Sequence, residues 1–409
     1  MDSHNVKKCY KVLSVLHSDM QRSFSACNSE KLDPPTVQSV DSLMMLPLPA
    51  DMRQQLLSSK PSTDYFPSEI QDYILNEPSV AVTYSFSAGG RKVVLHFVMF
   101  NQQPAQLNMK ALLAHAERVC ALMHLVSLHA NRATCSATLN IYIYMTHFKK
   151  LFPDEKGEAF DPEHANTGMA YHCAKANDIM VYREEEWFKV LIHESFHAFG
   201  LSFIESDMKD GVDAAMQYML KQTYAISHTV RVYETYCEIW ARILNVVFAC
   251  FSPTSGGIRS RTRDPISTIE FAAFAECVME GLQRDAQHAL QQCAKIMHHM
   301  GIPYAVMMDP TKKNRAIVAE KYRENTNVFA YYVMTCALQH SPDVFLVWCY
   351  KNNPSAKMMQ FRTIPSNFNG FMEMLLHCKR RCPIPDVTAM SPGSSMRMTA
   401  LSRLDGDKQ

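Results

Sequence analysis

From Arg183 to Gly200 the chain reads Arg-Glu-Glu-Glu-Trp-Phe-Lys-Val-Leu-Ile-His-Glu-Ser-Phe-His-Ala-Phe-Gly, and this stretch constrains the fold more than any other. Trp187, Phe188, Val190, Leu191, Ile192, Phe196, Ala198 and Phe199 make a helix that is apolar nearly all round. Such a helix is buried rather than surface-lying. Glu184, Glu185 and Glu186 suit the positive end of its dipole, and Gly200 is a natural C-terminal stop. Into it are set His193, Glu194 and His197. Two histidines four apart stand one above the other, with Cβ atoms about 6 Å apart, which suits two ligands of one metal ion. From the neighbouring position a carboxylate at Glu194 reaches a water on that metal and takes its proton. A chance His-Glu-x-x-His falls mostly on polar surface helices. Here two imidazoles and a carboxylate lie in an apolar helix, where they are costly without partners.

Composition sets bounds on the rest. A chain of 409 residues suits two or three core-bearing units, and 47% hydrophobic with 20% charged residues reads as globular. A formal net charge of +1 gives no reason to expect nucleic acid as a partner. The 13 cysteines include no Cys-x-x-Cys pair, which predicts free buried thiols in a reducing, intracellular setting. No signal peptide is visible, and no apolar run approaches the ~20 residues of a membrane span.

Four segments are expected: an N-terminal helix and linker or arm (1–63), an α/β part ending in the histidine helix (64–205), a helical part (206–382) and a disordered tail (383–409). Within the arm, a short helix is expected near 51–57. Period-two alternation and turn residues predict a hairpin (80–86 and 92–100) and strands at 138–145, 166–173 and 178–182. Helical periodicity predicts helices at 107–128, 214–224, 229–251, 267–300, 312–339, 342–351 and 367–379. Residues 252–263 read as a basic, flexible break.

A hydrolytic zinc takes three protein ligands and keeps one position open, so a third donor is needed. The long pattern His-Glu-x-x-His-x-x-Gly-x-x-His would require histidine at 203, where Phe203 stands. The segment Tyr233-Glu-Thr-Tyr-Cys-Glu-Ile-Trp-Ala241 offers Glu234 and Glu238 on one helical face.

On these residues the chain resembles the gluzincin-type zincin metallopeptidases. The resemblance implies an α+β, zincin-like fold: a small twisted mixed sheet packed on the His-Glu-x-x-His helix, then a mostly helical C-terminal part. It also implies Zn²⁺ held by His193, His197 and Glu234, with Glu194 as general base and Glu238 orienting a ligating histidine; the reverse assignment of Glu234 and Glu238 stays open. Tyr331 and Tyr332 are candidates for the oxyanion donor. Thr167, Gly168, Met169 and Ala170 are placed to be the sheet edge on which an extended peptide or protein substrate pairs. The segments 166–173 and 182–197 are similar to His-Glu-x-x-His proteins of large double-stranded DNA viruses, which implies host cytoplasm or virion as the setting. The function expected is therefore a zinc metallopeptidase; the alternative is a catalytically silent zincin-fold structural or host-interaction protein.

Overall fold

The computed structural model describes residues 3–40, 44–50, 52–53, 66–208, 211–251, 268–383 and 394–400. The class is α+β. A six-stranded mixed sheet has the order β1-β2-β3-β4-β6-β5, and a helical part follows it in the chain. Strands β2 (Ser79–Ala88) and β3 (Arg91–Phe100) form the expected hairpin, turning through Gly89 and Gly90, both at positive φ. From β3 the chain crosses over the helix Met109–His129 to β4 (Thr138–Met145), which pairs parallel to β3. Strand β6 (Ala176–Val181) adds parallel to β4, and β5 (Gly168–Ala170) closes this side antiparallel to β6. A two-residue hairpin needs no crossover, whereas a parallel pair does; the long apolar helix supplies it here. By length and composition that helix could also cross a bilayer, but in this fold it packs between β2 and the N-terminal helix Ser3–Glu30.

The histidine helix, Trp187–Ala198, follows β6 directly and lies against β5 and β6. Trp187 meets Phe97 of β3 edge-on at 5.9 Å. On its other side lies the glutamate helix Val232–Cys250, buried from Val232 to Phe248, and Phe196 stacks on its Trp240. The helix ends as its glycine predicts. Gly200 sits at φ 63°; its N–H donates to the His197 carbonyl (3.0 Å) and that of Leu201 to the Phe196 carbonyl (2.9 Å). These are the two bonds of a Schellman cap.

Several expectations change. Strand β1 (Thr36–Val40) pairs antiparallel with β2 where an arm was expected. It is exposed along almost its whole length, so it carries no apolar period to read. The helix expected over 312–339 is broken. It runs as Lys312–Lys321, resumes as a π-helical turn Phe329–Met334, and continues as Thr335–Gln339. Between the pieces, Glu324 accepts from the Phe329 N–H (2.6 Å) and the Tyr322 hydroxyl (2.8 Å), and Thr326 donates to Asn166 (2.7 Å). The two Glu324 bonds are local and the Thr326–Asn166 bond reaches a distant segment; together they override the helical periodicity. The free-thiol expectation fails for four cysteines, which form the disulfides Cys135–Cys173 and Cys250–Cys277; the other nine are free. The short helix expected near 51–57 lies outside the described residues except for Met52 and Arg53, and the basic break at 252–263 lies wholly outside them.

The tail expected to be disordered from Pro383 is corrected at residues 394–400. Met396, Met398 and Thr399 are buried. The Met398 N–H donates to Glu186 Oε2 at 3.0 Å, while the Thr399 N–H and hydroxyl both donate to Glu186 Oε1 at 2.6 Å. Glu186 is itself buried, ion-paired to Lys150, and held at φ 60° at the start of the histidine helix. Such a conformation costs energy in a non-glycine residue and persists only where surrounding bonds fix it. A Pro/Ser/Met composition hides this role, because two methionines and a threonine seal a charge that lies some two hundred residues earlier in the chain. The larger of two apolar core clusters among the described residues thus includes both Cys9 and Met398. Ending the chain at Pro383 removes the buried methionines and strips Glu186 of three donors, at a cost on the order of 5 kcal/mol. Its melting temperature is expected to fall by at least ~5 °C; an unchanged melting curve would contradict this packing.

Candidate metal centre

His193 and His197 lie one turn apart and direct their Nε2 atoms to a common point, 3.2 Å from each other. Glu234 of the glutamate helix brings Oε2 to the same point, 3.1 Å from His193 Nε2 and 3.4 Å from His197 Nε2. Three donor atoms thus form a nearly equilateral triangle. Glu238, one turn further on, stands behind His193: its Oε2 accepts from Nδ1 at 3.1 Å. Glu238 is also gripped by Lys189 Nζ (3.1 Å to each oxygen) and by Arg242 Nε (2.9 Å). The two glutamates therefore sit on opposite nitrogens of one ring, Glu234 with both Nε2 atoms and Glu238 on the far side.

The surroundings of His197 are built the same way. Cys237 Sγ lies 3.9 Å from its Nδ1. His193, His197 and Cys237 form a possible metal-ligating group in their own right. Because the sulfur faces Nδ1, it is placed to orient the His197 ring, while Nε2 turns towards His193 and Glu234. Asn327, just before the π-helical turn, donates to Glu234 Oε1 at 3.4 Å.

The electrostatics are those of a cation-seeking pocket. Burial alone would lower the pKa of His193, but its hydrogen bonds to Glu234 and Glu238 outweigh this and bring it up to about 10. Burial likewise opposes protonation of His197, yet the charges of Cys237 and Glu234 drive its pKa well above the ordinary value. Glu234 and Glu238 are held below the usual carboxylate range: burial would raise them, and the imidazoles, together with Lys189 and Arg242 for Glu238, reverse it. Glu194 differs. Burial raises its pKa, with the charge of Glu234 adding to the effect and the two imidazoles and Lys189 opposing it. Three carboxylates crowd two imidazoles, and Glu238 already spends its charge on Lys189 and Arg242. Glu194 and Glu234 are then matched either by protonated imidazoles or by a cation in their place.

His193, Glu194, His197, Glu234 and Glu238 line a cleft of about 630 Å³. One wall is the free edge of the sheet, with Thr167, Gly168, Met169 and Ala170 beside Glu194. Tyr331 reaches the cleft, its ring 5.7 Å from that of His193. Tyr332 does not: its hydroxyl donates to the Met396 carbonyl at 2.6 Å inside the core, which removes it as an oxyanion donor. Successive residues on a helical turn point in different directions, so only one of the two tyrosines can face the site. Lys189, Arg242 and Asn327 were not singled out from sequence, and Cys237 was read only as the small residue three on from Glu234. For Lys189 the signal was there: a lysine in an otherwise apolar helix, four residues before His193, needs a buried anion. Comparison with protein-family models, curated proteins and solved structures finds no match.

Gly168 fixes how closely β5 approaches the histidine helix. A Cβ there would lie 2.8 Å from the Met180 carbonyl oxygen, 2.8 Å from Val190 Cγ1 and 3.2 Å from Glu194 Cγ. The carbonyl belongs to β6 and cannot move aside. Gly168→Ala is expected to cost ~1–3 kcal/mol by overpacking, measured by denaturant unfolding. Full retention of stability would mean that β5 does not lie against Glu194.

Proposed function

We propose that the chain is a zinc-dependent peptidase of the zincin type, with His193, His197 and Glu234 as the metal ligands. The observation that carries the reading is the triangle of donor atoms. Ligand distances of ~2.0–2.1 Å in a tetrahedral zinc site imply donor–donor separations of about 3.3–3.4 Å, and the separations here are 3.1, 3.2 and 3.4 Å. The donor chemistry agrees, since two imidazoles and one carboxylate are a ligand set of hydrolytic zinc, and the pocket favours positive charge. The position of Glu238 agrees as well: a carboxylate on Nδ1 fixes the tautomer that presents the Nε2 lone pair.

Bound zinc would supply an acidified water and a polarised carbonyl. Everything else falls to the chain. Glu194, beside the donor triangle and held above the ordinary carboxylate pKa by burial, accepts the proton of the attacking water and passes it to the leaving amine. Tyr331 faces the same cleft and is the hydroxyl placed to donate to the developing oxyanion. An extended peptide pairs with the free edge of β5 at Thr167–Ala170, where Gly168 and Ala170 keep the approach open to a second backbone. Lys189 and Arg242 hold Glu238, and through it the His193 ring.

Glu194→Gln separates the chemistry from the binding. The variant is expected to keep one metal ion among these ligands and the parent melting temperature, while peptide hydrolysis falls ~10²–10⁴-fold. A fluorogenic peptide library measures the rate, and elemental analysis the metal. Undiminished hydrolysis in this variant would overturn the mechanism.

A further inference from the structure

A second group of metal-ligating side chains lies away from the cleft and outside the chemistry described so far. Cys336 is on the short helix Thr335–Gln339, and His340 follows it by four residues, on the same face. Cys382 caps the C-terminal end of the helix Pro365–Arg381. Cys336 Sγ lies 4.0 Å from Cys382 Sγ and 3.9 Å from His340 Nδ1. One donor atom from each of the three lies within 4.8 Å of the others. Cys293, buried on the long helix Thr268–His299, is a neighbouring thiol but falls outside this group.

We propose that Cys336, Cys382 and His340, with a water as the fourth donor, form a zinc site that ties two helices together. Thiols are weak hydrogen-bonding groups, so a set of them around an imidazole adds little to an apolar core by itself. The Cys336–Cys382 separation of 4.0 Å is close to the ~3.8 Å between sulfurs that zinc–sulfur bonds of ~2.3 Å impose in a tetrahedron. It is far from the ~2.05 Å of a disulfide. Nδ1, the His340 nitrogen that faces the Cys336 thiol, donates to the Cys336 carbonyl at 3.0 Å; binding an ion through Nδ1 replaces that bond and releases its proton. The Tyr304 hydroxyl donates to Cys382 Sγ at 3.7 Å, a bond that strengthens when the sulfur is a thiolate. His340 and Cys382 are partly exposed while Cys336 is buried, so an ion and its water have a path in. Binding releases the thiol protons to solvent. The helix that carries Cys336 packs on the glutamate helix, so the site braces the scaffold behind Glu234 and Glu238.

The test uses the full chain, purified under reducing conditions, with His193→Ala and His197→Ala introduced together. This variant is expected to hold one zinc per chain by elemental analysis, where the parent holds two. Cobalt(II) chloride in place of zinc should give thiolate-to-cobalt charge-transfer absorption. Adding Cys336→Ser and Cys382→Ser should remove both the remaining ion and that absorption. Those serine changes can also unfold the chain, so alkylation of the histidine variant with its cysteines intact supplies a second readout. Cys336 and Cys382 should be at least tenfold slower to alkylate before chelation than after it. The proposal is overturned by a zinc-supplemented histidine variant without zinc, by cobalt loading without thiolate absorption, or by a Cys336–Cys382 disulfide in the reduced preparation. A parent with one zinc that survives in the histidine variant would support this site and contradict the peptidase reading, so the two fail separately.

Discussion

Two apolar helices, Trp187–Ala198 and Val232–Cys250, pack together with Lys189, His193, Glu194, Glu234, Glu238 and Arg242 buried at their interface and His197 half-buried beside them. Ionisable groups removed from water are tolerated only when they satisfy one another. Glu238 is the hinge of that arrangement. It accepts from Lys189 on one helix, from Arg242 on its own, and from His193 Nδ1. This fixes the rotation of the two helices about each other and the plane of the His193 ring. The separation of Nε2 from Glu234 follows from that geometry.

The same logic extends outward. The histidine helix starts at a buried, left-handed Glu186 that is paired with Lys150 and sealed by Met398 and Thr399. It ends at a glycine cap whose neighbouring Ala198 carbonyl accepts from Ser136 at 2.8 Å. Both ends of the helix are therefore anchored by distant chain segments, and the donor triangle sits between the anchors, on the C-terminal half of the helix. The C-terminal segment reaches the cleft itself: Met398 lines it and touches Lys189 at 3.2 Å.

The central helix, its glycine stop, the crossover helix and strands β2 to β6 were legible in the sequence because periodicity and end signals agreed there. Glu234 and Glu238 were legible as a pair, since two acids on an apolar helix demand partners. Their separate positions were not, because which nitrogen of His193 each meets depends on how the helices pack. Strand β1 was hidden by its exposure on both faces, and the break after Lys321 by side-chain bonds, one of them to a residue far away in sequence. The C-terminal segment was misread for a related reason. Its composition resembles a tail, and its role is to satisfy one charge at a helix start that no local pattern announces.

Anomalous diffraction at the zinc edge, from crystals of zinc-replete protein, tests the central claim most directly. The account predicts a peak bonded to His193 Nε2, His197 Nε2 and a Glu234 oxygen at ~2.0–2.2 Å from each, with Glu238 still on Nδ1. A zinc-replete crystal with no peak between those three atoms, or with the ion bound by Glu238 in place of Glu234, would contradict it.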